Sequence, residues 1–234
     1  MRLHRFYINQ KVGENKELII PDQELASQLS KVFRFNTGDQ VIVFDGSGFE
    51  YVSEIVSLNK KEVILKIISQ SIKKSSEKNV SLYLALIKKG NFELAAEKCT
   101  EVGVVEIHPV VSERSEKKDL NIERLGKIVK EASEQSGRVT LPQVFSVTDL
   151  EMAVSQAIKD KKVCMVFHTN SSSGLPVPKE KAENIAIFIG PEGGWTDKEM
   201  ELFKKNNFQI CSLGSNILRA ETAAVIAVWE GLKM

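Results

Sequence analysis

Residues 163–167 and 185–189, Val-Cys-Met-Val-Phe and Ile-Ala-Ile-Phe-Ile, are unbroken apolar runs of strand length. A strand with one face in water alternates apolar and polar residues. A strand that does not alternate has both faces covered, a condition met in a parallel sheet with helices on either side. The flanking sequence fits that arrangement. Residues 80–87 read as a strand, and 91–102 as a helix with Phe92, Ala95, Ala96, Cys99 and Val102 on one stripe. A strand at 104–111 follows, then a helix at 122–136 with Ile122, Leu125, Ile128, Val129 and Ala132 on one face, a short strand at 210–213 and an apolar helix at 220–229. Strands alternating with helices predict an α/β architecture on a parallel sheet.

The first 72 residues have a different texture. Tyr51, Ser53 and Ile55 alternate with Val52, Glu54 and Val56, which is strand periodicity. The apolar run 41–44 ends in Asp45-Gly46-Ser47-Gly48, a turn that closes a hairpin into 49–56, and 62–68 supplies a further strand. Residues 21–34 carry Leu25, Gln28, Leu29, Val32 and Phe33 at helical spacing. The expectation is a small β-barrel with one helix over 1–72, then a Ser- and Lys-rich linker over 69–79, with the α/β domain filling 73–234.

The 234 residues carry 32 Lys and Arg against 31 Asp and Glu, a net charge of +1, so any nucleic-acid footprint has to be local. Cys99, Cys164 and Cys211 are odd in number and far apart, with no Cys-x-x-Cys pair, which argues against a zinc site or a secreted disulfide framework. No apolar h-region stands at the start, and no apolar stretch approaches the ~20 residues of a membrane span, so the expectation is a soluble cytoplasmic protein without a membrane partner.

Four segments concentrate chemistry. Ile189-Gly190-Pro191-Glu192-Gly193-Gly194-Trp195-Thr196 runs from a buried strand through a glycine-rich turn, and Thr196 with Glu199 forms a T-x-x-E capping box that fixes the next helix start. Ligands of open α/β sheets bind beyond the carboxyl ends of the strands, where glycine lets the backbone come close. The spacing excludes a Walker loop and a G-x-G-x-x-G fingerprint. Leu213-Gly214 through Arg219-Ala220-Glu221 likewise joins a strand to a helix, with two charges at the helix entrance. Glu134-Gln135-Ser136-Gly137-Arg138 reads as a helix end on a left-handed glycine. Ser112-Glu113-Arg114-Ser115 follows a strand, and His168 sits at a strand end where it can line a cleft. His108, inside a strand, reads as a packed residue, and Trp195 and Trp229 as packing rather than stacking platforms.

Taken in order, these segments resemble one family. Arg5-Phe6-Tyr7, Val32-Phe33-Arg34 with Gly38-Asp39, Phe44-Asp45-Gly46-Ser47-Gly48 and Lys98-Cys99-Thr100-Glu101-Val102-Gly103-Val104 join the four above to match the RsmE-type RNA methyltransferases across essentially the whole chain. Phe33 and Val102 are apolar swaps for the family's usual leucines. The resemblance implies a C-terminal SPOUT-type α/β domain with a trefoil knot and a small N-terminal PUA-like β-barrel, acting as a homodimer. It implies S-adenosylmethionine-dependent methylation of N3 of a uridine in small-subunit ribosomal RNA, on naked RNA or on the assembled subunit. A knotted ribose 2′-O-methyltransferase and a non-catalytic RNA-binding protein are the alternatives.

By the same resemblance the cofactor lies against Phe167, His168, Thr169, Ile189, Gly190, Glu192, Gly193, Gly194, Leu213, Gly214, Ile217 and Leu218. Arg219 is expected to stabilise the developing uridine anion. Glu192 or Glu221 orients groups or accepts the proton, the two roles undivided. Arg5, Arg34, Arg114 and Arg138 are the expected RNA contacts. No metal is called for, since the sulfonium supplies the electrophile.

Overall fold

The structure is a computed structural model that describes residues 3–73, 78–115, 120–169 and 183–234. The chain divides into two compact units, one of Met1–Ser75 with Ser133–Leu141 and one of Ser76–Ala132 with Pro142–Met234.

In the first unit, β1 (Arg5–Tyr7), β2 (Glu17–Ile20), β3 (Gln40–Phe44), β4 (Phe49–Leu58) and β5 (Val63–Ile72) form one sheet in the order β1–β3–β4–β5–β2. Only β1 and β3 run parallel. Two register shifts where β4 pairs with β5 bend the long hairpin. Apolar residues from all five strands then share one core, among them Phe6, Leu18, Val41, Tyr51, Ile55 and Leu65. The Asp45-Gly46-Ser47-Gly48 turn is fastened by Asp45, whose buried carboxylate accepts from the amides of Val12 and Ser47 at 3.0 and 2.9 Å.

Two expectations for this region need correction. The helix at 21–34 is short: α1 (Gln23–Ser27), capped by Asp22, passes into a π-helical turn over Gln28–Val32 and ends at a left-handed Arg34 (φ 57°). The wider turn brings Phe33 and Phe35 edge-on to Phe6, at 5.3 and 6.4 Å. The linker at 69–79 also begins later than its polarity suggests. Ser69 to Ile72 belong to β5, paired with Val52 to Phe49 of β4, because backbone pairing with a partner strand holds even a solvated polar segment extended. Residues 74–77 of that linker lie outside the described residues.

In the second unit the large sheet runs β12 (Gln209–Cys211), β10 (Val163–Phe167), β11 (Asn184–Ile189), β6 (Asn79–Ala85), β7 (Glu106–Val111), β8 (Gln143–Val144), with β9 (Thr148–Asp149) also on β7. Every pairing is parallel. The unbroken runs do serve two faces. Ile185, Ile187 and Ile189 pack with α2 (Lys89–Val102), α3 (Ile122–Ser136) and α6 (Ala220–Lys233) on one side. Ala186 and Phe188 pack with α4 (Leu150–Lys159) and α5 (Asp197–Lys205) on the other. Helix α3 ends at Gly137 (φ 79°), and Arg138 N donates to Ser133 O, the paired closure that a left-handed glycine permits.

At the amino edge of this sheet, one oxygen of Glu106 accepts from Ser81 Oγ at 2.7 Å and from Lys162 Nζ, and lies 3.1 Å from His108 Nε2. His108 is stacked between Tyr83 and Phe145, with centroids 4.1 and 4.0 Å away, the packed role its sequence position suggests. The His108 hydrogen bond, with those from Lys162 and Ser81 and the Lys162 charge, outweighs burial and pulls the Glu106 carboxyl down to about 2. A carboxyl held low in the folded state stabilises above its unfolded value near 4.3 and loses that contribution as pH falls toward 2. Stability therefore drops across that window, and E106A flattens the drop while costing about 2–4 kcal/mol at pH 7 in urea unfolding. An unchanged pH profile for the variant contradicts this role.

Candidate functional site

Strands β10, β11 and β12 are neighbours and run the same way, so the segments leaving their carboxyl ends meet at one edge of the sheet. They enclose a cavity of about 530 Å³. Its wall includes Phe167, His168 and Thr169 after β10, Ile189, Gly190, Glu192, Gly193 and Gly194 after β11, and Leu213, Gly214, Ile217 and Leu218 after β12. Every residue that the resemblance named for the cofactor thus borders one space. Ala220 and Ala223 of α6, with Pro191, Trp195, Ser212 and Asn216, complete the wall. Pro191 and Asn216 lie inside the segments that the resemblance implies, and Trp195 was expected only to pack; Ser212, Ala220 and Ala223 were not expected at the cofactor. Ser212 directly follows β12, and Ala220 and Ala223 stand in the first turn of α6, so position was their available signal.

The glycine-rich turn is held from several directions. Gly194 N donates to Pro191 O at 2.8 Å and closes the turn. A Cβ on Gly190 would stand 3.1–3.3 Å from the indole of Trp195, which is buried in the core beneath α5. An added methyl would need the packed indole to give by a few tenths of an ångström. Thr196 and Glu199 make the expected capping box. Arg114 lies along Gly193: its NH1 donates to Gly193 O at 2.7 Å, and its Cδ would be 3.2 Å from a Cβ there. A branched residue at 193 would therefore press on Arg114 first, rather than simply fill ligand space. Glu192 is exposed, and its Oε1 accepts from Lys88 N at the start of α2 at 3.4 Å.

The two expected catalytic regions separate. Arg219 is the N-cap residue of α6, exposed on the cavity wall, with no carboxylate partner among the described residues. Glu221, two residues on, does not border the cavity. The helix turns about 100° per residue, and Glu221 is 8 % exposed, its Oε2 without a hydrogen-bond partner among the described residues. No group of three or more His, Cys, Asp or Glu suited to a metal occurs among the described residues.

The four expected RNA contacts also differ. Arg114 stands at the cavity, and Arg34 is exposed in the first unit. Arg5 is not presented to an RNA phosphate: strand alternation sends Phe6 into the core and Arg5 to the other face of the sheet, where its side chain is 8 % exposed and paired with Glu50 at 2.7 Å. Arg138 is half-buried, donates through Nε to Thr140 O at 3.2 Å, and burial brings its pKa down to about 10. Its reach for phosphate is correspondingly small.

The tight fit of Gly190 against Trp195 is directly testable. G190A must displace the indole, and the expected cost is about 1–3 kcal/mol in thermal unfolding. An unchanged melting temperature would contradict the contact.

Residues 73–229 match the family model described as an RNA methyltransferase domain, and residues 29–68 match the RNA methyltransferase PUA domain. Over 234 aligned residues the chain is 31 % identical to ribosomal RNA small subunit methyltransferase E of Rickettsia conorii, covering 97 % of this chain and 94 % of that protein. The Bacillus subtilis protein of the same name is also 31 % identical, with the same coverage. Among solved structures, ribosomal RNA small subunit methyltransferase E from Neisseria gonorrhoeae bound to S-adenosyl methionine superposes with a TM-score of 0.90 at 27 % identity, over 97 % of this chain and 95 % of that one. A Legionella pneumophila methyltransferase in complex with the same cofactor gives 0.89 at 28 % identity, over 100 % and 98 %. With a likeness that runs through both units, this chain belongs to the RNA methyltransferase family of the ribosomal RNA small subunit methyltransferases E.

Proposed function

We propose that the protein uses S-adenosylmethionine to methylate N3 of a uridine in small-subunit ribosomal RNA. One observation carries the reading: the strand-end segments named for the cofactor surround a single cavity, and the exposed guanidinium of Arg219, without a carboxylate partner among the described residues, stands on its wall. The residues fit the cofactor. A space of about 530 Å³ suits a nucleoside-sized ligand. Phe167, Ile189, Leu213 and Leu218 offer apolar surface for an adenine ring, and the glycine-rich turn brings backbone groups within reach of its polar edges. When bound, S-adenosylmethionine supplies a methyl group already activated by the positive sulfonium.

The chain's own residues supply the rest. Uridine N3 carries a proton that must leave for the ring to attack the methyl group, and as it leaves negative charge develops over the ring oxygens until the transfer to N3 neutralises it. Arg219 meets that charge with a charge-assisted hydrogen bond at fixed geometry. Glu192, exposed at the lip with one oxygen toward Lys88 N, is the carboxylate placed to receive the proton or orient the base. Glu221, off the cavity, has no such role in this reading. Arg114 and Arg34 take the phosphate contacts, while Arg5 and Arg138 keep internal ones.

The same reading carries a trefoil knot through this cradle, a PUA-like RNA-binding role for the first unit, a cytoplasmic location and a homodimer. An exposed apolar stripe on α6, with Ile226 and Trp229 one helical turn apart, supports the last of these.

Small subunits from a strain lacking the gene, incubated with the enzyme and cofactor, should yield 3-methyluridine on nucleoside mass spectrometry. A 2′-O-methylated product, or no transfer together with no cofactor binding by calorimetry, contradicts the proposal. R219A should lower kcat by about 10²–10³-fold while cofactor affinity stays within a few-fold. An unchanged kcat would remove Arg219 from the chemistry.

A further inference from the structure

A capping box occupies one carboxylate oxygen; Glu199 uses both. Its Oε2 accepts from Thr196 N at 2.8 Å and lies 3.2 Å from Thr196 Oγ1, which is the cap. Its Oε1 accepts from Glu113 N at 2.9 Å, 86 residues away in sequence. Glu199 is 7 % exposed, while Glu113 is exposed, so this second bond is part-buried and fastens an exposed segment to a buried carboxylate. Thr196 Oγ1 is also 3.2 Å from Glu113 Oε2, so the segment is tied to the head of α5 at two points. Within the segment, Ser115 Oγ accepts from Ser112 N at 3.1 Å and pairs with Ser112 Oγ at 2.9 Å, closing it into a compact loop. The residue after Glu113 is Arg114, whose guanidinium rests on Gly193 O at the cavity wall.

The chain of contacts has a direction. The head of α5 is fixed by core packing, Glu199 fixes Glu113 to it, and Glu113 fixes the backbone that carries Arg114. Gly193 O engages one nitrogen of Arg114, and no carboxylate neutralises it among the described residues. Its remaining donors are left for an incoming anion. From this geometry we infer that Glu199 is a positioning residue: it holds the 112–115 loop against α5 so that Arg114 meets the RNA substrate at a fixed place beside the cofactor cavity. The inference rests on the proposed function only for what Arg114 meets. The tie itself is independent of it.

Glutamine at 199 separates the two duties. Its single amide oxygen can still cap Thr196, but its NH2 then faces the Glu113 N–H, donor against donor, and the loop is released. The experiment uses the full-length enzyme with small ribosomal subunits and S-adenosylmethionine, comparing wild type, E199Q, R114A and the double variant. E199Q is expected to lower kcat/KM for the RNA about tenfold, the size of one lost charge-assisted contact. R114A should lose a similar amount, and the double variant should be no worse than R114A alone within about twofold, because the first change acts through the second. Hydrogen exchange at the Glu113 amide should accelerate in E199Q, with calorimetric affinity for the cofactor unchanged.

Losses that multiply in the double variant, or a Glu113 amide equally protected in E199Q and wild type, overturn the inference. R114A with wild-type kcat/KM overturns it by another route, removing the group through which Glu199 would act. A wild-type enzyme that makes no 3-methyluridine defeats the proposed function instead, while the exchange measurement still reads the tie. Should E199Q not fold, S115A opens the same loop without touching the helix cap. Its cycle with R114A then supports the inference if the losses fail to multiply and overturns it if they do.

Discussion

Parallel pairing of β10 with β11 on one side and β12 on the other is the constraint on which the site depends. Antiparallel neighbours would send successive connections to opposite edges. Parallel ones send all three to the same edge, where backbone groups beyond the last ladder bond are left for a ligand. The pairing is in turn enforced by composition. Runs such as Ile185 to Ile189 have no polar face to give to water, so helices must cover both sides, and α6 can lie close because Ala220, Ala224, Ala227 and Gly231 present small side chains to the sheet. Burial of apolar surface thus decides where three distant stretches of sequence come together.

Electrostatics then distinguishes that edge from the rest of the surface. A chain of net charge +1 has no general attraction for RNA. Arg5 is neutralised by Glu50 and Arg124 by Glu93, so these cations do little beyond their own neighbourhoods. Arg219 and Arg114 stand on the cavity wall without a carboxylate partner among the described residues. Against the one exposed carboxylate of Glu192, these two arginines leave the wall locally positive inside a balanced chain.

Much of this was legible before the fold was known. The capping box at Thr196 and Glu199, the glycine stop at Gly137, the packed His108 and the two-faced strands follow from local chemistry, whereas the strand-end segments were joined into one expected site by the family resemblance alone. What escaped the sequence depends on partners far along the chain. The neutralisation of Arg5 needs Glu50, the return of Ser133–Leu141 to the first unit needs contacts such as Glu134 with Tyr7 N, and the second bond of Glu199 needs Glu113. The π-helical turn after α1 escaped for a different reason. One π-turn shifts the apolar pattern by a single residue, too little to read from spacing, and it occurs together with the packing of Phe33 and Phe35 on Phe6. Glu221 illustrates the same limit: two residues from Arg219 in sequence, it falls off the cavity face because of helical rotation.

A crystal structure of the protein grown with S-adenosylmethionine probes the arrangement most directly. The donor is expected within the cavity bounded by Phe167 to Thr169, Ile189 to Gly194 and Leu213 to Leu218, with its methyl group facing the Arg219 side. Density for the donor outside that cavity, or bound in it with the methyl group turned away from Arg219, would contradict the reading of these strand ends as a methyl-transfer site.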